Sequence, residues 1–139
     1  MRKTLVLTMV LFCVMVQGCG VAFQRNAEQL AQTAKDEDYG PMPTDYQNTI
    51  KSFMEISLFD PESARYSNWE APRRYIIQRS FASPTPVLGW QVGVYINAKN
   101  RMGGYVGAIQ YSFFFINNRI YAYQEARREG AISYWTYLQ

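Results

Sequence analysis

The sequence contains no histidine. Because serine and cysteine nucleophiles are usually activated by an imidazole, this absence excludes Ser-His and Cys-His catalytic pairs, and it also excludes histidine-based zinc sites. Cysteine is scarce as well, since Cys13 and Cys19 are the only two. We expect Cys13 to be removed with a signal peptide, which would leave the mature chain without an internal disulfide or a second thiol.

Acid–base chemistry would therefore depend on carboxylates. The candidates are Asp60, Glu62, Glu70, Glu125 and Glu129. Only Glu125, near the end of a predicted strand, is placed where it could face a cleft. A two-carboxylate glycosidase needs a sugar-binding cleft between its carboxylates, and the predicted sheet is too small to hold one. The sequence thus predicts a protein that is not an enzyme and that carries no cofactor and no metal.

An excess of charge of one sign is also missing. The formal net charge is +3, and removal of Arg2 and Lys3 with the signal peptide lowers it to +1. Such a small net charge does not indicate the strongly positive surface that nucleic-acid binding requires, so no nucleic-acid partner is expected. Aromatic residues, in contrast, make up 16% of the chain, and such residues suit both a small core and a binding interface.

The N-terminus has the pattern of a signal peptide. An apolar run from Leu5 to Val16 follows the basic start; it is shorter than the about 20 residues that a transmembrane helix needs. The residues Val16-Gln17-Gly18-Cys19 then resemble the bacterial lipobox. This resemblance implies removal of residues 1–18 and attachment of diacylglycerol to Cys19, followed by acylation of the new amino terminus. An ordinary secretory signal with an incidental cysteine, or a simple transmembrane anchor, are the alternatives.

Lipidation would also account for a lone cysteine in a secreted chain. Several acyl chains anchor a protein durably where a single chain does not. Residue 20 is Gly20, whereas in enteric-type lipoproteins an aspartate at this position resembles an inner-membrane retention signal. We therefore expect the protein in the outer membrane, lipid-anchored and facing the periplasm.

Residues 19–43 are predicted to form a lipidated tether and linker. Its middle part, Gln24–Lys35, is rich in helix-forming residues, but its apolar stripe is narrow. Gly40, Pro41 and Pro43 would end any helix before the folded part begins. Residues 44–139 are then expected to form a single α+β domain.

The first strongly patterned element is a helix from Thr44 to about Leu58. Thr44 and Gln47 have the spacing of a capping box. One face of the helix carries a mostly apolar stripe, which should cover a sheet and consists of Tyr46, Ile50, Phe53, Met54 and Ser57. Farther on, Asp60 and Pro61 fit the N-cap and first position of a short helical turn, followed by an extended segment.

Alternating residues predict an antiparallel sheet of three to five strands behind this helix. The predicted strands are Arg73–Phe81, Trp90–Ala98, Val106–Ile116 and Arg119–Glu125, with Ile132–Leu138 as either an edge strand or an aromatic tail. Residues 82–87 are expected to form a loop, because Pro84 and Pro86 cannot pair in a sheet interior. Asn117 and Asn118 are typical of a two-residue turn with positive φ. The predicted fold class is therefore α+β, with an N-terminal helix or helices packed on the sheet.

The polar turn between the second and third predicted strands is the candidate site. Its seven candidate binding residues are Asn97, Lys99, Asn100, Arg101, Gly103, Gly104 and Tyr105. In one interpretation the turn is only a hairpin connection, whose asparagines bond to their own backbone. In the other it is a recognition surface, where the two cations meet an anionic partner and the tyrosine stacks.

Two motifs carry a resemblance to a known group of proteins. The similarity lies in Asp60-Pro61-x-Ser63-Ala64, then a strand with Gly89-Trp90, and then Asn97-Ala98-Lys99-Asn100-x-x-Gly103-Gly104-Tyr105-x-Gly107. In these residues the chain is similar to a family of small, mostly uncharacterised bacterial lipoproteins and secreted proteins. The resemblance covers about residues 60–116, and it implies a domain type and no chemistry. The architecture also resembles small accessory lipoproteins of outer-membrane assembly machines.

Two functions from different classes remain open on these grounds. The first is a protein-binding accessory or structural subunit of an outer-membrane complex, for example a secretion or conjugation apparatus. The second is a module that binds peptidoglycan or another glycan through an exposed tyrosine face. That face would consist of Tyr95, Tyr105, Tyr111, Tyr121 and Tyr123.

Overall fold

The computed structural model describes residues 29–80, 83–126 and 135–138. Within these ranges residues 29–33 are helical, and a 3₁₀ turn spans Asp36–Tyr39. The main helix, α1, spans Tyr46–Ser57. The strands are β1 (Asp60–Ser67), β2 (Arg73–Ser80), β3 (Ser83–Lys99), β4 (Ile109–Ile116), β5 (Arg119–Glu125) and β6 (Thr136–Tyr137).

The six strands form one sheet in the order β1-β3-β4-β5-β6, and β2 also pairs with β3. The β1–β3, β3–β4, β4–β5 and β5–β6 pairs are antiparallel. The predicted antiparallel sheet is thus confirmed, but the predicted count of three to five strands is too low. The difference arises at Asp60, where the sequence predicts a helical turn and the structure begins β1.

The long strand β3 organises the sheet. Its residues Trp90–Ile96 pair with β4, while Tyr95–Lys99 pair with β1 along the other edge. Alternation along β3 directs its apolar residues to one face. There a cluster of seven buried residues forms, consisting of Ile50, Met54, Val92, Val94, Ile96, Phe113 and Phe115. Two of the seven come from α1, and the ring of Phe53 lies 6.0 Å from that of Phe113.

The chain divides into two compact units. Among the described residues, the larger unit takes in those from Asp36 to Tyr75 and from Leu88 onward, and the smaller one those of 29–35 and 76–87. The buried cluster and every predicted binding residue of the turn belong to the larger unit.

The loop predicted at residues 82–87 is wrong for the part that the structure describes, because β3 already begins at Ser83. Proline has no backbone N–H and cannot donate a hydrogen bond to a neighbouring strand, so it is disfavoured in a strand that has partners on both sides. The β4 register begins only at Trp90, so residues before it need fewer ladder bonds and Pro84 and Pro86 are tolerated. At the other end, the strand predicted from Val106 begins at Ile109, since Gly107 has a φ of +96° that interrupts extended backbone.

The predicted capping residues are also corrected. The residue that precedes α1 is Asp45, and its side chain makes no capping bond to the backbone. Its carboxylate oxygen Oδ1 instead accepts a hydrogen bond of 2.7 Å from the Asn48 side-chain amide. The capping box predicted from Thr44 and Gln47 therefore does not form. Asn117 and Asn118 do adopt positive φ, at 49° and 64°, as predicted for the turn between β4 and β5.

Residues 36–43, predicted as a linker, belong to the larger unit and pack within it. The indole Nε1–H of Trp90 donates a hydrogen bond of 3.2 Å to the Gly40 carbonyl oxygen. Tyr39 is buried, with its ring 6.4 Å from that of Trp90. An ion pair of 2.6 Å joins Arg74 and Asp36. Packed residues of this unit therefore precede Thr44.

Candidate functional site

A wide bulge in β1 places the first sequence motif against the second. Asp60 lies opposite Lys99 and Arg65 lies opposite Asn97, so β1 advances five residues while β3 advances two. The hydroxyl of Ser63 donates a hydrogen bond of 2.8 Å to the Asp60 carbonyl oxygen and accepts one of 2.9 Å from the Lys99 N–H. The Asp60 carboxylate accepts a hydrogen bond of 3.2 Å from the Ser63 N–H. The Asp-Pro-x-Ser-Ala motif thus builds a bulge and not a helical start.

The turn after β3 is closed by its own polar groups. The Asn100 side-chain oxygen Oδ1 accepts hydrogen bonds from the N–H groups of Met102, at 2.9 Å, and Gly104, at 3.2 Å. The backbone of Asn100 donates to the Gly104 carbonyl oxygen and accepts from the Gly103 N–H, both at 2.9 Å. Gly103 has a φ of +79°, which a glycine adopts without strain. Asn100 therefore has the structural role that the hairpin interpretation predicts.

Tyr105 ties this turn to β1. Its hydroxyl donates a hydrogen bond of 3.2 Å to the Ser63 carbonyl oxygen, and its backbone forms a bridge with Lys99. The Arg65 guanidinium lies 4.6 Å from the centre of the Tyr105 ring, and the Lys99 ammonium lies 5.7 Å from it. A cation held over an aromatic face is attracted by the ring electrons. Two positive groups are consequently fixed on one ring.

Three apolar side chains of the same region face solvent. Met102 is 95% exposed, Phe59 65% and Val106 54%. The Arg101 guanidinium lies 5.7 Å from the centre of the Phe59 ring. We call this set the tip surface, which comprises Phe59, Arg65, Lys99, Arg101, Met102, Tyr105 and Val106. An exposed apolar patch among charged residues is typical of an interaction site.

A small cleft adjoins the tip surface. Its volume is about 100 Å³. The apolar part of its wall comes from Leu58, Ile96, Ala98, Val106 and Ile109, together with the ring of Tyr111, while Lys99 and Asn100 are its polar neighbours. We call it the tip cleft. A wider depression of about 660 Å³ lies at the β4–β5 turn, at the opposite end of the strands, and Arg119 is its charged residue.

The structure brings six of the seven predicted binding residues together in the turn and leaves the seventh apart from it. Asn97 lies within β3, and its side-chain oxygen Oδ1 is buried without a hydrogen-bond partner among the described residues. Of the other six, Lys99, Arg101 and Tyr105 contribute side chains to the tip surface, whereas Asn100, Gly103 and Gly104 shape the backbone beneath it. Cys19 lies outside the described residues.

Sequence reasoning missed five residues of this region. Ser63 was seen only as part of a motif, and four residues of the tip surface were not singled out, namely Phe59, Arg65, Met102 and Val106. The signal available in the sequence was that both motifs occur in one chain. The first motif forms the bulge and the second forms the turn that contacts it. Only the pairing of β1 with β3 shows that they meet.

The carboxylates are dispersed over the described part of the chain. Asp60 is engaged in the bulge, and the carboxylate of Glu70 lies over Gly93. Glu125 lies opposite Tyr111 in the β4–β5 register. Burial, with a further contribution from the charge and hydrogen bond of Glu125, raises the pKa of Tyr111 to about 12. In the described ranges no group of three or more acidic or cysteine side chains is placed to hold a metal ion.

The tyrosines of the glycan hypothesis do not share one face. Tyr111 and Tyr123 pack against the buried cluster, beside Phe113. Tyr121 contacts Phe114, and successive residues of a strand point to opposite faces of the sheet. The flat row of exposed rings that this hypothesis requires is therefore not formed.

Comparison with protein-family models, curated proteins and solved structures finds no match to this chain. Within the residues that the structure describes, no helix is both long enough and apolar enough to cross a membrane. The geometry of the tip surface and the sequence of the N-terminus are thus the basis for assigning a function.

Proposed function

We propose that this protein is a non-enzymatic, lipid-anchored envelope lipoprotein that binds another envelope protein through its tip surface. It acts as an accessory or structural subunit of an outer-membrane complex, anchored through Cys19 and facing the periplasm. The single observation that carries the proposal is a cluster of solvent-facing apolar side chains among cations at the β3–β4 turn. The resemblance of residues 16–19 to a lipobox supports the proposed location in the outer membrane.

The turn is suited to binding because its backbone is already ordered. Asn100 closes the turn and Tyr105 fastens it to β1. Ordering a loop on binding opposes association, so a turn that is fixed beforehand retains more of its contact energy as affinity. The tip surface also combines Arg, Met and aromatic residues, which are enriched in the cores of protein interfaces.

The domain behind this surface is proposed to be an α+β layer in which α1 covers one face of the sheet. Ile50 and Met54 share a buried cluster with β3 and β4 residues, which supports that arrangement. Tyr39 and Gly40, which pack on Trp90, would lie at the end of the β3–β4 pairing that is away from the tip. In this arrangement the tip surface stays free for a partner.

The test is the size of the native complex. Membranes of the host, lightly crosslinked and extracted with mild detergent, should yield the chain in a defined larger assembly. Met102→Asp should reduce the assembled fraction by roughly tenfold, because a carboxylate at the centre of an apolar contact must be desolvated. Met42→Asp is the matched control, since Met42 is also exposed, at 50%, but lies close to Gly40 and hence to the Trp90 end of the sheet.

A wild-type chain that migrates only as a free monomer under these conditions would refute the proposal. Equal loss of the assembly in both variants would show that the tip is not the contact. Lipid anchoring and partner binding are separate parts of the proposal. The assembled fraction is therefore compared only among variants that reach the membrane in equal amounts.

A further inference from the structure

The tip surface and the tip cleft together specify the chemistry of the partner. We infer that the partner presents an acidic protein segment, in which one aliphatic side chain enters the tip cleft and neighbouring carboxylates meet Arg65, Lys99 and Arg101. This inference rests on the proposed function, because it describes the partner that the tip surface would bind. The partner must supply both an aliphatic side chain and carboxylates.

Charge supports an acidic segment. The three cations lie over the rings of Tyr105 and Phe59. Among the described residues none of the three forms an ion pair. A cation over an aromatic ring keeps most of its positive potential, so it remains available to an incoming carboxylate. Arg65 and Arg101 also offer planar guanidinium groups, which bind carboxylates in a bidentate manner.

The cleft supports an aliphatic side chain beside those carboxylates. Its volume of about 100 Å³ and its largely apolar wall would leave enclosed water poorly hydrogen-bonded. Displacing such water with an apolar group favours binding. Val106 and Lys99 belong both to the cleft wall and to the tip surface, so a single segment of partner chain can reach the cleft and the cations.

A membrane surface fits these observations less well. Anionic headgroups would satisfy the cations, but a lipid surface has no side chain of defined shape to place in a cleft between Leu58, Ile96 and Ile109. A protein segment supplies a carboxylate and an aliphatic group at fixed spacing. We therefore commit to the acidic protein segment, and the experiment distinguishes it from phospholipid.

The experiment places a photoreactive benzoylphenylalanine at Met102 in the full-length chain, expressed in its host. Irradiation of intact cells is followed by mass spectrometry of the crosslinked product, which identifies the attached molecule and the partner peptide. We expect a protein adduct whose attachment site lies within a few residues of two or more Asp or Glu residues and of a Leu, Ile, Val or Met. The same reagent at Met42 should give no such adduct.

Charge reversal then tests the cations. Arg101→Glu combined with Arg65→Glu should reduce the adduct yield by roughly tenfold. Lys51→Glu is the control, because Lys51 is an exposed cation on α1 whose ammonium lies 6.0 Å from the ring of Tyr66. It should leave the yield unchanged. Extraction in about 1 M NaCl, where the Debye length is about 3 Å, should weaken the wild-type complex.

Filling the cleft tests the aliphatic side chain. Val106→Trp should also lower the yield by roughly tenfold, because the indole would occupy the mouth of the cleft. Val106 is more than half exposed, so this variant should unfold at the wild-type urea concentration, and that measurement excludes misfolding as the cause.

The outcomes separate this inference from the proposed function. A protein adduct whose yield is unaffected by both charge reversal and Val106→Trp would overturn the acidic segment and leave the protein-binding function standing. A phospholipid adduct at Met102 would overturn it in favour of membrane contact. Absence of any adduct, together with a monomeric chain in detergent extracts, would overturn both proposals.

Discussion

At the scale of single residues, Ser63 joins two strands through one hydroxyl group. It accepts the Lys99 N–H and donates to the Asp60 carbonyl, so it holds the bulge of β1 and the end of β3 in register. The sequence shows a serine near an aspartate and a proline, a pattern that equally suits a helix N-terminus. The hydroxyl acquires its actual role only because the bulge of β1 brings it to the Lys99 N–H.

Ser63→Ala should destabilise the domain by about 1–3 kcal/mol, because it leaves a partly buried N–H without its acceptor. Urea denaturation measures the difference. Ser67→Ala is the control, since Ser67 lies in the same strand but is exposed, and it should change the stability by less than about 0.5 kcal/mol. Equal effects of the two substitutions would contradict the role assigned to Ser63.

Gly103→Ala should cost about 1 kcal/mol, because Gly103 has a φ of +79° that a side chain opposes even where space is open. Gly104→Ala is the matched control. Its added methyl would meet the nearest atom, the Asn100 Oδ1, at 3.9 Å, which is ordinary contact. The order of the two urea midpoints checks the prediction, and a Gly104 variant that is the less stable would be evidence against it.

At the scale of elements, β3 is the strand on which the others depend. It pairs with β1, β2 and β4, and the indole of its Trp90 contacts Tyr39 and Gly40. Close approach matters at this end of the strand: a methyl group added at Gly89 would collide with the Phe115 carbonyl oxygen and the Phe114 ring. Residues of β3 therefore help to determine where the segment before α1 packs.

Trp90→Phe should destabilise this attachment by about 1 kcal/mol, since the Gly40 carbonyl loses a partly buried donor. Hydrogen exchange of the amides in residues 36–43 should increase. Asp36→Asn is the comparison, because the ion pair between Asp36 and Arg74 is exposed on both sides and such pairs contribute only about 0–1 kcal/mol. Faster exchange in Asp36→Asn than in Trp90→Phe would reverse our ranking of the two contacts.

At the scale of the whole molecule, stability and location are the measurable properties. Burial raises the pKa of Tyr111 to about 12 from its ordinary 10.0, and burial also raises that of Tyr66, with Glu55 as the second cause. A raised tyrosine pKa means that the folded state holds its proton longer than the unfolded chain does. This stabilisation is complete below pH 10 and is lost as the pH rises towards 12.

The free energy of unfolding should therefore fall between about pH 10 and pH 12. A shift of two pKa units corresponds to about 2.7 kcal/mol. Since the Tyr111 phenol is only partly buried, solvent screening reduces the expected loss to about 1 kcal/mol. Urea titrations across this range measure it, and Tyr111→Phe should show a shallower decline. An unchanged slope in that variant would exclude Tyr111 as the cause.

Cys19→Ser should abolish incorporation of labelled palmitate and move the chain out of the membrane fraction, because the thiol is the predicted site of diacylglycerol attachment. Cys13→Ser is the control and should leave both properties unchanged, since Cys13 lies within the predicted signal peptide. Retention of Cys19→Ser in the membrane at wild-type level would refute lipid anchoring.

How much of the fold could be predicted depends on the range of the interactions involved. Alternating residues identified β4 within three residues at its start and β5 at both ends, and Asn117-Asn118 identified the turn between them, because these signals are local. Periodicity also placed α1. The proline-containing start of β3 and the bulged strand β1 were missed, since both depend on what lies across the sheet.

The same distinction between local and long-range interactions applies to the candidate site. The sequence by itself determined the turn with its glycines and Asn100, because a turn is made by neighbours in the chain. The predicted range began too early, since Asn97 and Lys99 belong to β3. Only the tertiary structure decided that Phe59 and Arg65 belong to the same surface and that Ser63 supports it, since strand pairing brings them to the turn from about 40 residues away. The turn is thus part of the larger tip surface because β1 pairs with β3, and no local sequence pattern encodes that pairing.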